Sequence, residues 1–145
     1  MDEFSSRLAA LGLADQVVLT GYIGDDDLAW LYENCYANIY VSLFEGFGLP
    51  VLEGMTLGAP TIASRSTSIP EITGTAAMLV DPLDVAGLTD ALLKISNDPK
   101  LRKTLSAQAR ERAKNFQWEN SARQLLDLYW LAMQTPKRKP GTNFE

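Results

Sequence analysis

Apolar positions recur along this chain with two periods, and the alternation between them predicts its elements. Phe4, Leu8 and Leu11 fall at helical spacing and stop at Gly12, an amphipathic helix over residues 3 to 12. Val17 to Tyr22, reading VVLTGY, is a short β-branched run bounded by turn formers, which predicts a strand buried on both faces. Asp25, Asp26 and Asp27 precede Leu28, Trp30 and Leu31. Acidic residues there complement a helix dipole, so a helix is expected to about Cys35, followed by a strand from Ala37 to Val41. After a glycine-rich turn, a helix should start at Leu49 or Pro50 and stop at Gly58. Pro60 to Ser64 reads as the next strand, Pro70 and Glu71 as the start of a single helical turn, and Met78 to Val80 as a fourth strand.

The rest is helical in pattern. Asp84 can cap a helix through Val85, Leu88, Leu92, Leu93 and Ile95 to about Asn97. Asp98 and Pro99 open another, with Leu101, Leu105, Ala109 and Ala113 on one stripe. The last runs from about Trp118 to Met133, with Leu125, Leu128 and Tyr129 on an apolar side and Trp130 nearby. Thr135 to Glu145, rich in proline, glycine and charge, reads as a disordered tail, which leaves residues 1–134 as one folded domain. Strands alternating with helices predict an α/β fold, a Rossmann-like parallel sheet with helices on both faces, whose ligands bind beyond the carboxyl ends of the strands. Right-handed crossovers put the loops Tyr22 to Asp25, Ser42 to Gly48 and Arg65 to Glu71 on one edge, where they can form a crevice.

Composition narrows the classes. With 145 residues, 46% hydrophobic and 21% charged, the chain can bury one core. Its net charge of -5 argues against nucleic acid or an acidic membrane as the main partner, and only Lys137, Arg138 and Lys139 make a basic patch. One cysteine, Cys35, excludes an internal disulfide, fits a reducing compartment, and reads as a small buried hydrophobe. The absence of histidine removes His-assisted triads and the usual zinc sites. No apolar run approaches the roughly 20 residues of a membrane span, and the acidic start is unlike a signal peptide, so a cytoplasmic location is expected.

The candidate chemistry lies in EGFGLPVLE, Glu45 to Glu53. Gly46 and Gly48 let backbone approach a ligand, Pro50 fits a first helical turn, and the free N–H groups of a helix start favour an anion such as phosphate. Carboxylates repel phosphate, so Glu45 and Glu53 suit the hydroxyls of a sugar. The bland alternative is a tight turn beside two solvated glutamates. Phe44 and Phe47 read as packing that pins the turn, and Ser64, Ser66, Thr67 and Ser68 as turn formers, while Arg65 is the cation placed to reach a phosphate. Three consecutive aspartates could hold a divalent ion, but an acidic helix start explains them without one.

YVSLFEGFGLPVLEGMTLGAPTIAS, then SIPEITGTAAMLVDP and NFQWENSARQLLDLY, resembles the C-terminal domain of retaining glycosyltransferases of family 4, the group 1 transferases with a GT-B fold. The likeness runs from about residue 8 to 130. It implies that Glu45 meets the donor sugar and supports oxocarbenium charge, and that Glu53 grips the ribose. It also implies that the amides of Gly46, Phe47, Gly48 and Leu49 meet the sugar or diphosphate, with Tyr22 and Ile23 near the base. The leaving diphosphate would assist the acceptor hydroxyl, with retention. No metal or cofactor is implied beyond the substrate, a nucleotide sugar such as GDP-mannose or a UDP-sugar.

The resemblance also implies what this chain lacks. The family's Arg and Lys pair on the diphosphate, the domain's first strand or strands and the whole N-terminal domain have no counterpart here. The expectation is therefore the donor-binding half of a hexosyl, first of all mannosyl, transferase of polysaccharide assembly acting on a glycan or lipid-linked acceptor. Such a half should be inactive or nearly so alone, should leave a sheet edge and the last helix uncovered, and should meet the missing domain or self-associate. The full-length enzyme could sit peripherally at the inner membrane. A non-catalytic nucleotide-sugar-binding or partner domain acting through another chain is the alternative, and a GT-B-like epimerase a weaker third.

Overall fold

The computed structural model describes residues 3–135, so the predicted tail lies outside the described residues from 136 onward. The chain divides into two compact units between Leu31 and Tyr32. In the first, α1 (Glu3–Ala10) ends as its sequence directs. Gly12 takes φ 68°, Leu13 N–H bonds Leu8 O at 2.9 Å and Gly12 N–H bonds Ala9 O at 3.0 Å, the paired bonds of a glycine-stopped helix. A 3-10 turn at Ala14–Gln16 follows.

Val17 to Tyr22 is not a strand, which corrects the sequence expectation. A strand exists only through its ladder, and no described backbone bond engages these residues; Val18 is 83% exposed and Leu19 59%. Helix α2 (Asp25–Asn34) then begins with its three aspartates in the first turn and runs on into the second unit.

The second unit holds a three-stranded parallel sheet in the order β1 (Asn38–Tyr40), β2 (Thr61–Ser64), β3 (Ala77–Val80). Tyr40 pairs with Ala63 and Ser64 with Val80, so the carboxyl ends of the strands share one margin. Every residue of β2 is buried. Its neighbours Ile62 and Ala63 point to opposite faces, and a separate core closes over each. Ala63 joins Val51 and Met55 of α3 (Leu49–Thr56), Ile69 and Ile72 of α4 (Ile69–Thr73), and Ala109 and Ala113 of α6 (Pro99–Ala113). Ile62 joins Val80, Leu105 of α6, and Ala91 and Ile95 of α5 (Val85–Asn97). The predicted layers, a parallel sheet with helices on both faces, are thus present.

Caps fix where these helices start. Asp84 Oδ1 accepts from Gly87 N–H at 2.9 Å, and Asp98 Oδ1 from Lys100 and Leu101 N–H at 3.0 and 2.9 Å, each satisfying donors a helix start leaves free. Arg112 of α6 donates through Nε to Ile72 O at 2.9 Å and through Nη2 to Glu71 O at 2.6 Å, which ties down the short α4. Helix α7 (Trp118–Gln134) differs. Its apolar stripe is where the pattern put it, yet no residue of it is buried, and Trp118, Leu128, Tyr129 and Trp130 are all more than half exposed.

Because β2 carries both cores, truncating Ile62 should be costly. Ile62→Ala is expected to lower stability by about 2–5 kcal/mol, read as a fall in the urea midpoint with unchanged slope. A loss well under 1 kcal/mol would show that the face over α5 is not closed.

Candidate functional site

The glycine-rich turn leaves β1 and enters α3 through Gly48. There φ is 107°, and a Cβ would fall 2.5 Å from Ile69 Cδ1, so both backbone and packing require glycine. Gly46 differs: its φ is not positive and a Cβ there would meet open space, so nothing among the described residues demands glycine. Unlike α5 and α6, α3 starts without a side-chain cap. Its first bonds run from Val51 and Leu52 N–H to Gly48 O. The amides of Gly46, Phe47, Gly48 and Leu49 have no partner among the described residues.

The segment after β2 holds this turn with a row of hydroxyls. Ser64 Oγ lies 3.4 Å from both the amide and the hydroxyl of Ser42, and Ser66 Oγ donates to Ser42 O at 3.0 Å. Thr67 Oγ1 accepts from Glu45 N–H at 3.1 Å. Ser68 Oγ sits 2.6 Å from Phe47 O and 3.2 Å from Glu45 O, and its one proton favours the shorter contact. Thr67 has φ 48°, a left-handed conformation that a β-branched residue resists. That twist is what carries its hydroxyl to the Glu45 amide. Sequence reasoning took these residues as turn formers; their reach across to the other loop was not visible in the local pattern.

With its amide held by Thr67, Glu45 presents a half-buried carboxylate whose described partner is the Tyr40 hydroxyl, donating to Oε1 at 2.7 Å. This bond first, then burial, then the charges of Glu45 and Tyr32 push the Tyr40 phenol above the ordinary tyrosine range. Glu53, one turn into α3, is exposed; it adds to burial in pushing the Tyr32 phenol upward. Among the described residues neither glutamate has an ion-pair partner; the ion pair found is Lys114 with Glu111.

Phe47 packs edge-on against Phe116, with centroids 6.1 Å apart and planes at 79°, as expected of a residue pinning the turn. Phe44 does not: it is 77% exposed, because the chain at that point rides over the rim of the core, which corrects its assignment to packing. Cys35 is half-buried, its thiol donates to Tyr32 O at 3.4 Å, and burial pushes its pKa up, the condition of an inert thiol.

The structure thus brings Glu45, Gly46, Phe47, Gly48, Leu49 and Glu53 together along one turn and helix. Arg65 stands apart from them. Its Nη2 donates to Leu79 O at 3.1 Å, and it lines a cavity of about 490 Å³ with Asp81, Asp84, Asp90 and Lys94, to which the turn contributes no residue. Tyr22 and Ile23 belong to the first unit, where Tyr22 is 96% exposed and Ile23 half-buried. Tyr40 was missed by sequence reasoning, and the one signal for it was a hydroxyl-bearing residue at the exit of the strand that leads into the turn. Chemically, the turn offers unpaired donors to an anion and unpaired carboxylate acceptors to hydroxyls.

Comparison with known proteins identifies the family and the fold. The family model for glycosyl transferases group 1 matches residues 1–112. The chain is 40% identical over 111 residues to an O-antigen chain mannosyltransferase B of Escherichia coli, covering 77% of this chain and 29% of that protein. It is 38% identical over 133 residues to the serotype-specific mannosyltransferase WbdA of the same organism, covering 90% of this chain and 16% of that one. It therefore spans less than a third of these relatives' lengths. Among solved structures, sucrose-phosphate synthase from Thermosynechococcus elongatus superposes with a TM-score of 0.78 at 33% identity, over 90% of this chain and 33% of that one. The C-terminal domain of a glycosyl transferase group 1 protein, LpcC from Francisella tularensis, gives 0.69 at 27% identity, over 78% of this chain and 60% of that domain. On sequence, sheet topology and superposition alike, this chain belongs to the glycosyl transferases group 1 family.

Proposed function

We propose that this chain is the donor-binding part of a longer glycosyltransferase that moves a hexosyl unit, mannose before others, from a nucleotide-diphosphate sugar to a glycan or lipid-linked acceptor with retention. The observation that carries this reading is the uncapped start of α3, where among the described residues the amides of Gly46 to Leu49 are unpaired and the two flanking carboxylates have no ion-pair partner. A helix start of that kind suits a diphosphate, and the carboxylates suit sugar and ribose hydroxyls. The open space over Gly46 supports it, since a ligand supplies the reason for glycine that the chain itself does not. The mannosyltransferase names of two relatives favour mannose.

In this reading Glu45 accepts from the donor sugar and stabilises positive charge developing at the anomeric carbon, while Glu53 accepts from the ribose. Arg65, exposed at the carboxyl end of β2, would reach a phosphate at the turn only by leaving Leu79 O, and further cations and the acceptor site come from the rest of the longer protein. The uncovered stripe of α7 meets that remainder, or a second copy of the chain when it is alone. The full protein acts in the cytoplasm. Among the described residues no helix is long and apolar enough to cross a membrane.

Three outcomes follow for the chain by itself. Calorimetry should show binding of GDP-mannose or a UDP-sugar without turnover, and steady transfer or donor hydrolysis would refute the division of labour. Glu53→Ala should weaken free nucleotide and nucleotide sugar alike, whereas Glu45→Gln should weaken only the sugar-bearing ligand, each by about tenfold. If both variants bind like the parent, the turn is not the donor site. Gly48→Ala should cost about 1–2 kcal/mol of stability from the left-handed φ alone and abolish diphosphate binding, checked by thermal melts and the same calorimetry.

A further inference from the structure

We infer that Tyr40 is a positioning residue for Glu45: its phenol occupies Oε1 at 2.7 Å and so turns Oε2 toward the donor sugar. This rests on the reading of Glu45 as the carboxylate that meets that sugar.

The backbone of Glu45 is already fixed, its own amide bonded to Thr67 and the turn that follows held by Ser68 at Phe47 O. What remains free is the side chain, which has several rotatable bonds and no ion-pair partner among the described residues. Tyr40 is suited to remove that freedom. It sits at the carboxyl end of β1, and its ring packs against the core that contains Val51, Met55 and Ala63, so the hydroxyl is held from a rigid base. Packing does not require the oxygen. Phenylalanine would fill the same volume, and the hydroxyl's described partner is the glutamate. A tyrosine hydroxyl donates without bringing a charge, which leaves the carboxylate its full acceptor strength, whereas an arginine there would form a salt bridge that competes with the sugar.

The raised ionisation of Tyr40 gives the pairing its own signature, separable from ligand binding. The titratable groups facing it are Glu45 and Tyr32. Because the folded-state pKa lies above the ordinary value, the bond is intact below that value and is lost as pH rises through the folded one.

The test uses the whole chain as wild type, Y40F, E45Q and the double variant. An ultraviolet titration of the phenolate band, with Y40F subtracted, isolates Tyr40. Its ionisation should move down toward the ordinary tyrosine range in E45Q, and an unmoved titration overturns the pairing. Calorimetry with GDP, GDP-mannose, UDP and UDP-glucose then reads the role. Y40F should leave free nucleotide affinity and the melting temperature nearly unchanged, lower the preference for the sugar-bearing ligand roughly three- to tenfold, and add nothing on top of E45Q. A Y40F protein that keeps the full preference while E45Q loses it overturns the positioning role alone. Loss of free nucleotide binding in Y40F makes the tyrosine merely structural. If E45Q keeps the preference, or no nucleotide binds the wild type, the donor reading of Glu45 falls and this role with it.

Discussion

The structure depends on β2 being covered on every side. A strand flanked on both edges and packed under helices on both faces has no room for an unpaired polar group, and β2 obeys this with Ile62 and Ala63 in separate cores and Thr61 bonded to Ala59 O at 3.0 Å. Polar side chains therefore collect where the strand ends. Ser64 is the last residue of the ladder, and Ser66, Thr67 and Ser68 follow at once. Because β1 runs parallel with Tyr40 beside Ala63, its exit lies at the same margin, within reach of those hydroxyls. The clamp on the glycine turn is thus a consequence of register and burial before it is a matter of function.

The clamp also decides which backbone groups remain free. It consumes polar atoms of Ser42, Glu45 and Phe47, and leaves the amides from Gly46 to Leu49 unspent. Two residues bear left-handed backbones to make this possible, Thr67 against its β-branched side chain and Gly48 without penalty. Strain at Thr67 persists because the bond to Glu45 and the anchoring of α4 by Arg112 hold both ends of its segment. A helix start left uncapped in this way is costly unless water or a ligand meets its donors, whereas Asp84 and Asp98 satisfy theirs from within the chain.

What could be read from the sequence divides along the same physical line. Helix starts at Asp84 and Asp98 and the stop at Gly12 were legible because caps are local, decided within a few residues. The glutamate turn was legible for the same reason. Val17 to Tyr22 was misread because strand propensity is only a capacity to pair, and pairing is decided by chain elsewhere. Phe44 and Phe47 are alike in sequence, and the path of the turn alone sends one to Phe116 and the other to solvent. The bond from Tyr40 to Glu45 spans five residues across a strand exit, a spacing that belongs to no regular element. The stripe of α7 was visible, and the family resemblance implied that the last helix would be left uncovered, as it is among the described residues.

The distribution of charge along the turn has a consequence for selectivity. Two carboxylates without cations flank a set of amides without acceptors, so a bare phosphate gains from the amides and loses to the carboxylates. A phosphate that carries a polyol recovers the loss, because each hydroxyl turns a repelling carboxylate into an acceptor. Cations supplied from elsewhere would raise affinity for both ligands by similar amounts, as interactions with a shared group do. On the proposed reading, discrimination between a sugar nucleotide and its spent nucleotide resides in Glu45 and its orientation, while the affinity the two ligands share resides in the amides of the turn and in groups outside it. On that same reading the separation favours release of the spent nucleotide after transfer, since the departing sugar takes with it the hydroxyls that had offset the carboxylate.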